Sequence, residues 1–402
     1  MNELLLLEHI RRMGEISRAD LARTTGLSKP TVSLTLANLE RTGLVRSAGL
    51  RTGAPGPAAV LYELRPDAGH VLALDVGQRF LRGSISDITG TVCATSTVRA
   101  RATTGRGRVS ELVRLAENLC CTAGLTEGDL TQTVLGSPGV YDPRQDAITL
   151  APALNGWERP AVLAELRAAF GATLMIENDV DAAALAEQAH GHGRGVDSFA
   201  FVSIGTGIGM GLVIGGDLLR GAHGAAGEIG YLPFEIEAPD DAEDASRRGR
   251  LEGIASADGI TRAAHRAGLG HGLSSREVFA AANNGNPRAM EVVAAEALLV
   301  ARAICTVVAV ADPELVVLGG GIGRAAGFVD AVRTELERIT PILPELEVSA
   351  VGDAAVIDGC LAAGLERAWE LLTAALPGQT PDYPPATTAT TSATSTATTH
   401  TR

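Results

Sequence analysis

Two adjacent residues carry the clearest chemistry in this chain: Asn178 and Asp179, in the run IENDVDAAALAE. An amide beside a carboxylate, opening an alanine-rich helix, can hold vicinal hydroxyls. The amide donates and accepts, and the carboxylate accepts or takes a hydroxyl proton. Asp179 is thus the candidate general base if a hydroxyl is activated, and part of a polyol grip if none is. Glu228, in GAAGEIGY, is another hydroxyl acceptor, and GSPGV supplies a close-packing turn through Gly136 and Pro138. Two glycine-rich turns and an Asp-x-Gly hairpin follow apolar runs and are candidates to meet an anion. They hold Asp75 and Gly77 in LALDVGQRF, Gly205, Thr206 and Gly207 in VSIGTGIG, and Gly320 and Gly321 in LVVLGGGIG.

These turns need strands to carry them. From residue 71 to about 376, short apolar runs alternate with helical patterns, which predicts an α/β body. Residues 1–64 differ. Ser17 with Asp20 reads as an N-cap, Gly26 as a stop, and Ser28 as a second cap with Pro30 in the first turn behind it. Val32, Leu36 and Leu39 recur at helical spacing and face inward. Two short helices around a glycine turn are the helix-turn-helix layout, and LVRSAGL, RTGAPGP and AAVLYEL then read as strand, loop and strand, a wing. Residues 65–70 form a linker. Residues 377–402, rich in Thr, Ala and Pro, lack the apolar content to fold and are expected to be disordered.

The second short helix can do chemistry of its own. With its apolar residues inward, its outer face presents Lys29, Thr31, Ser33, Leu34, Thr35 and Asn38, short enough to approach base edges. Ser28 and the helix start can position phosphates, and Arg46 and Arg51 flank a loop shaped for a minor groove. Charge agrees with this placement: residues 1–66 hold nine basic and six acidic side chains. The remainder holds 25 against 41, of 34 and 47 in all, and repels a polyanion. The N-terminus has Glu3 and Glu8 where a signal peptide needs cations. The most apolar stretch, about 292–311, contains Glu296 and Arg302 and reads as a buried helix, so no membrane is expected. Five cysteines, an odd number without C-x-x-C spacing, argue against a disulfide framework and point to the cytoplasm. His190 and His192 lack companion ligands and read as a loop; no metal site is expected.

The hairpin through GAAGEIG, with ENDVDAAALAE and LRGSISDITG, resembles the ROK family of repressors, open reading frames and sugar kinases over about residues 17–376. The resemblance implies an N-terminal winged helix-turn-helix followed by two actin-like, RNase H-like lobes: the first 71–183, completed by about 355–376, and the second 184–354. It implies sugar contacts by Gly136, Pro138, Asn178, Asp179, Glu228, Tyr231 and Glu252, and nucleotide contacts at the glycine turns. It also shows departures. In the kinases, Asp-x-Gly continues with Gly and Thr or Ser; here Gln78 and Arg79 stand there. The family's zinc-binding histidine falls at Tyr231, its cysteine loop at DASRRGRLEG without a cysteine, and its asparagine before Gly-Trp at Ala153. No zinc is therefore expected, and ATP and magnesium only if kinase activity survives. The expectation is a sugar-responsive repressor binding a palindromic operator as a dimer or tetramer, its effector a sugar or sugar phosphate. The alternative is an active ATP-dependent sugar kinase, glucokinase-like, that also binds DNA.

Overall fold

The computed structural model describes residues 1–51, 58–171, 173–236 and 238–376. The head comprises α1 (Asn2–Met13), β1 (Ile16–Ser17), α2 (Arg18–Thr25), α3 (Lys29–Arg41), β2 (Val45–Arg51) and β3 (Ala59–Leu64), its strands ordered β1-β3-β2. Its local grammar is the expected one. Ser17 Oγ accepts the Asp20 amide, Gly26 ends α2 in the left-handed region, and Ser28 Oγ accepts the Thr31 amide. Leu6, Leu7, Ile10, Leu21, Val32, Leu36 and Leu39 form the core. Thr35 is a correction: it is buried, because it lies three residues after Val32 and four before Leu39, on the same helical face. The wing tip, residues 52–57, lies outside the described residues, as does the tail from 377.

The first lobe contains β4 (His70–Val76), β5 (Phe80–Asp87), β6 (Val92–Arg99), α4 (Gly105–Ala123), β7 (Leu130–Ser137), a small hairpin of β8 (Val140–Asp142) and β9 (Ala147–Thr149), α5 (Pro160–Phe170) and β10 (Met175–Asn178). Helix α6 (Asp179–His190) leads to the second lobe: β11 (Phe199–Ile204), β12 (Ile208–Ile214), β13 (Asp217–Leu218), α7 (Pro239–Arg248), α8 (Arg250–Ala255), α9 (Ala257–Arg266), α10 (Ser275–Asn283), α11 (Pro287–Ala311), β14 (Leu315–Gly319), α12 (Gly320–Gly323), α13 (Phe328–Ile339) and β15 (Glu345–Val348). The sheets run β6-β5-β4-β7-β10 and β13-β12-β11-β14-β15. In each, three antiparallel strands continue into two parallel ones, so one topology occurs twice. That duplication is the two-lobed RNase H-like architecture expected. Among the described helices, α11 alone has the length and hydropathy of a membrane span, yet Val292, Ala297, Val300 and Ile304 bury one face of it in the second lobe's core.

The last helix, α14 (Ala355–Ala374), ties the parts together. It lies against β4, β7 and above all α6, where Gly359 permits the approach: a Cβ there would overlap the Ala182 carbonyl oxygen. Helix α6 itself crosses the boundary drawn at 183/184 and touches both sheets. The far end of α14 belongs to the head. Leu376 is buried in the head's core with Trp369 and Leu372 against it, and Arg11 of α1 stacks 5.1 Å over Trp369 and pairs with Glu366.

Candidate functional site

The open ends of both sheets face a cleft of about 540 Å³. Its walls bring together Gly77, Pro138, Asn178, Asp179, Gly205, Thr206, Gly207, Glu228, Glu252, Gly320 and Gly321, contributed by segments nearly 250 residues apart in sequence. Three sequence candidates lie outside these walls. Asp75 is buried and ion-paired with Arg82 (2.8 Å). Gly136 packs against Val356 and Cys360 of α14 and so spaces that helix from the sheet. Tyr231 is 44% exposed beside the cleft.

Strand β10 ends by delivering Asn178 as the N-cap of α6. Its Oδ1 accepts the amides of Val180 (2.8 Å) and Asp181 (3.2 Å), while Nδ2 donates to the Gly139 carbonyl (2.9 Å). Most of its bonding capacity is spent on building the site, leaving one N–H for a ligand. Asp179 follows, half-buried in the cleft. Burial first, and then the nearby Asp75 carboxylate, push its carboxyl up to about 7. Glu228 rises to about 7 through burial and the charge of Glu252, and Asp181 to about 8 through burial and Glu177. Glu177 is held by Arg220 at 2.6 Å. The cleft is therefore a set of carboxyl groups near their midpoint at neutral pH, able both to donate and to accept.

Glu252 has a different assignment from a free sugar contact. Its Oε2 accepts the Ile208 amide (3.1 Å) and its Oε1 the Arg248 guanidinium (2.6 Å), and Arg248 also donates to the Thr206 carbonyl. The pair braces the 205–207 turn. Sequence reasoning misses Arg248 and Arg82: Arg82 meets Asp75 only across the β4–β5 hairpin, and Arg248 meets the Thr206 carbonyl 42 residues back in the chain.

The residues that would meet ATP and magnesium differ from those of the kinases. Gln78 and Arg79 both line the cleft at the position where the kinases carry small residues, Gln78 donating to the Ala153 carbonyl (3.3 Å). The aspartate of the Asp-x-Gly hairpin is engaged by Arg82, and Arg248 donates to the Thr206 carbonyl of the second glycine turn. Gly320 keeps its place for backbone reasons: its φ is +74° and a Cβ would strike the Ile204 carbonyl. The segment resembling the zinc loop has no thiolate to offer. Arg262 cross-links it instead, bonded to Asp241 (2.6 Å), Asp244 (3.0 Å) and the Gly253 carbonyl (2.6 Å).

On the head, Ser28, Lys29 and the 67%-exposed Leu34 stand open on α3, with Thr31 and Ser33 half-buried beside them. Asn38 donates to Glu3 (3.3 Å). The wing arginines are not free: Arg46 pairs with Glu63 (2.8 Å) and Arg51 with Asp20 (3.0 Å). Bonds from Ser17 and Arg23, then Arg51, hold Asp20 at about 2, well below the usual carboxylate value.

Comparison with known proteins follows the same division of the chain. The ROK family model matches residues 71–359, and a MarR family model matches residues 1–51. The chain is 25% identical to the xylose repressor of Caldicellulosiruptor bescii over 90% of its own length and 94% of the relative's. Among solved structures, a ROK family transcriptional regulator homologous to the E. coli MLC protein superposes with a TM-score of 0.74 at 22% identity, covering 92% of this chain and 97% of that one. The ROK hexokinase of Thermus thermophilus superposes with a TM-score of 0.64 at 28% identity, covering 75% and 99%. The chain belongs to the ROK family, with a winged helix-turn-helix head joined to the family's two-lobed body.

Proposed function

We propose that the protein is a cytoplasmic, sugar-responsive DNA-binding transcription regulator of the repressor type, whose cleft binds a sugar or sugar derivative without phosphorylating it. One observation carries this: Asn178, Asp179 and Glu228 converge on the cleft, while Gln78 and Arg79 line it at the positions where the family's kinases carry small residues. The xylose repressor among the relatives makes D-xylose the first sugar to test.

The packing suggests how occupancy reaches DNA. Asn178 and Asp179 stand at one end of α6, α6 lies along α14, and α14 ends inside the head's core. A ligand that favours one lobe angle displaces this helix pair, and the head with it. Room for movement exists in a cavity of about 920 Å³ between head and body, lined by Ile10 and Leu64 on one side and Leu185, Ala363 and Trp369 on the other. In a dimer, two recognition helices must enter major grooves about 34–36 Å apart. A change in that spacing lowers operator affinity, and a ten- to hundredfold induction needs only about 1.4–2.8 kcal/mol of coupling.

A second reading, an ATP-dependent sugar kinase with a DNA-binding head, is favoured by Asp179, whose carboxyl near 7 suits a general base, and by the glycine turns that share its cleft. Incubation with ATP, magnesium and a panel of pentoses, aldohexoses and amino sugars separates the two. The proposal expects a sugar-dependent rise in melting temperature and no ADP. Turnover abolished by Asp179→Asn would establish the kinase instead.

A further inference from the structure

A second cavity, of about 600 Å³, lies among α8, α9, α11 and the segment around Phe234, and shares no lining residue with the cleft. Its wall is largely carbon, from Phe234, Ile254, Ile260, Val292 and Leu299. Glu296 of α11 also lines it. This side chain is 3% exposed, and its Oε1 is buried without a hydrogen-bond partner among the described residues. Folded proteins rarely leave such a group unmet, because it loses its hydration and gains nothing.

The charges around the cavity do not serve it. Asp241 is claimed by Arg262 and Arg266, Arg266 is shared with Asp240, and Glu235 and Arg302 are exposed to solvent. Burial alone pushes the Glu296 carboxyl up to about 8, so at neutral pH it is mostly the neutral acid, a donor and an acceptor at once. A cavity of this size, apolar with one convergent polar group, has the anatomy of a small-molecule site.

We propose that this cavity is a second ligand site, separate from the sugar cleft, for a neutral molecule with an apolar ring or chain and a hydroxyl or amide group that pairs with Glu296. Its position gives it a route to the cleft. Ile254 in its wall and Glu252, which braces the 205–207 turn, sit on the same short helix, α8. An occupant that shifts α8 shifts that turn.

The test uses the full chain without sugar or DNA, so its outcome is independent of the function proposed above. Benzyl alcohol and toluene are the probes, one ring with and without a hydroxyl, their affinities measured by ligand-observed NMR. The preference for the alcohol over the hydrocarbon should fall about threefold to tenfold in Glu296→Leu, the worth of one hydrogen bond, and persist in Glu296→Gln. Ligand-free Glu296→Leu should also melt above the wild type. Absence of binding by both probes, an unchanged preference in Glu296→Leu, or a lower melting temperature for that variant would overturn the proposal. So would a change of oligomeric state in either variant by sedimentation velocity, which would make the cavity an interface between copies.

Discussion

Replacing Asp179 with asparagine should make the protein more stable in alkali and no more stable in acid. An unfolded aspartate titrates at 3.8, whereas the folded environment raises Asp179 to about 7, through burial and the neighbouring Asp75. Below about pH 4 the carboxyl is protonated in both states, and it contributes no pH dependence. Between about 4 and 7 the unfolded chain releases a proton that the folded chain keeps, so stability falls as pH rises. Above about 7 the loss is complete. At 1.36 kcal/mol per pH unit it amounts to at most about 4 kcal/mol, an upper bound because the carboxyl retains a partial opening to the cleft. Asparagine keeps the shape and never ionises. Thermal unfolding of both proteins at pH 4.5, 6, 7 and 8.5 measures the difference; Asp181 and Glu228 remain in each and largely cancel. The gap in melting temperature should open progressively and reach several degrees by pH 8.5. A gap independent of pH, or a less stable variant at pH 8.5, would refute the assignment of Asp179 as a repelled, desolvated carboxyl.

Three other substitutions probe the remaining parts. Asn178→Ala removes the cap of α6 and the bond to the Gly139 carbonyl, and should cost about 1.5–3 kcal/mol in urea unfolding at neutral pH. Arg51 can reach a phosphate only by exchanging its Asp20 partner for it. On that exchange Arg51→Ala should weaken binding to all DNA sequences and flatten the salt dependence by up to about one counterion; an unchanged slope in a salt titration would remove Arg51 from the interface. Arg11→Ala breaks both the stack on Trp369 and the pair with Glu366. It should reduce the sugar-induced change in operator affinity while calorimetry finds the sugar affinity itself unchanged.

What the sequence disclosed was local. Ser17, Gly26 and Ser28 punctuate the head as read, because caps and left-handed stops depend on a few neighbouring residues. The glycine turns and the Asn-Asp pair fall on one cleft because turns at strand ends gather at one edge of a sheet. What was hidden depends on distant partners. Arg46 and Arg51 look like free wing cations until Glu63 and Asp20 are seen beside them, and Glu252 looks like a sugar acceptor until Ile208 and Arg248 claim its oxygens. Gly136, a sugar contact by resemblance, packs against a helix some 220 residues further on. The docking of α14 into the head left no local trace, since Trp369 and Leu376 carry the same apolar signal whether they cover a sheet or join another domain's core. Thr35 is a simpler failure: polarity outweighed a periodicity that already put it inside.

Fluorescence anisotropy on a labelled fragment from upstream of the protein's own gene, titrated with protein in the presence of ATP, magnesium and each sugar in turn, tests the account at its centre. Beginning with D-xylose, one sugar should lower operator affinity by about tenfold to a hundredfold, with no ADP formed in the same tube. Operator affinity indifferent to every sugar, together with steady ADP release, would mean that the cleft performs chemistry and signals nothing.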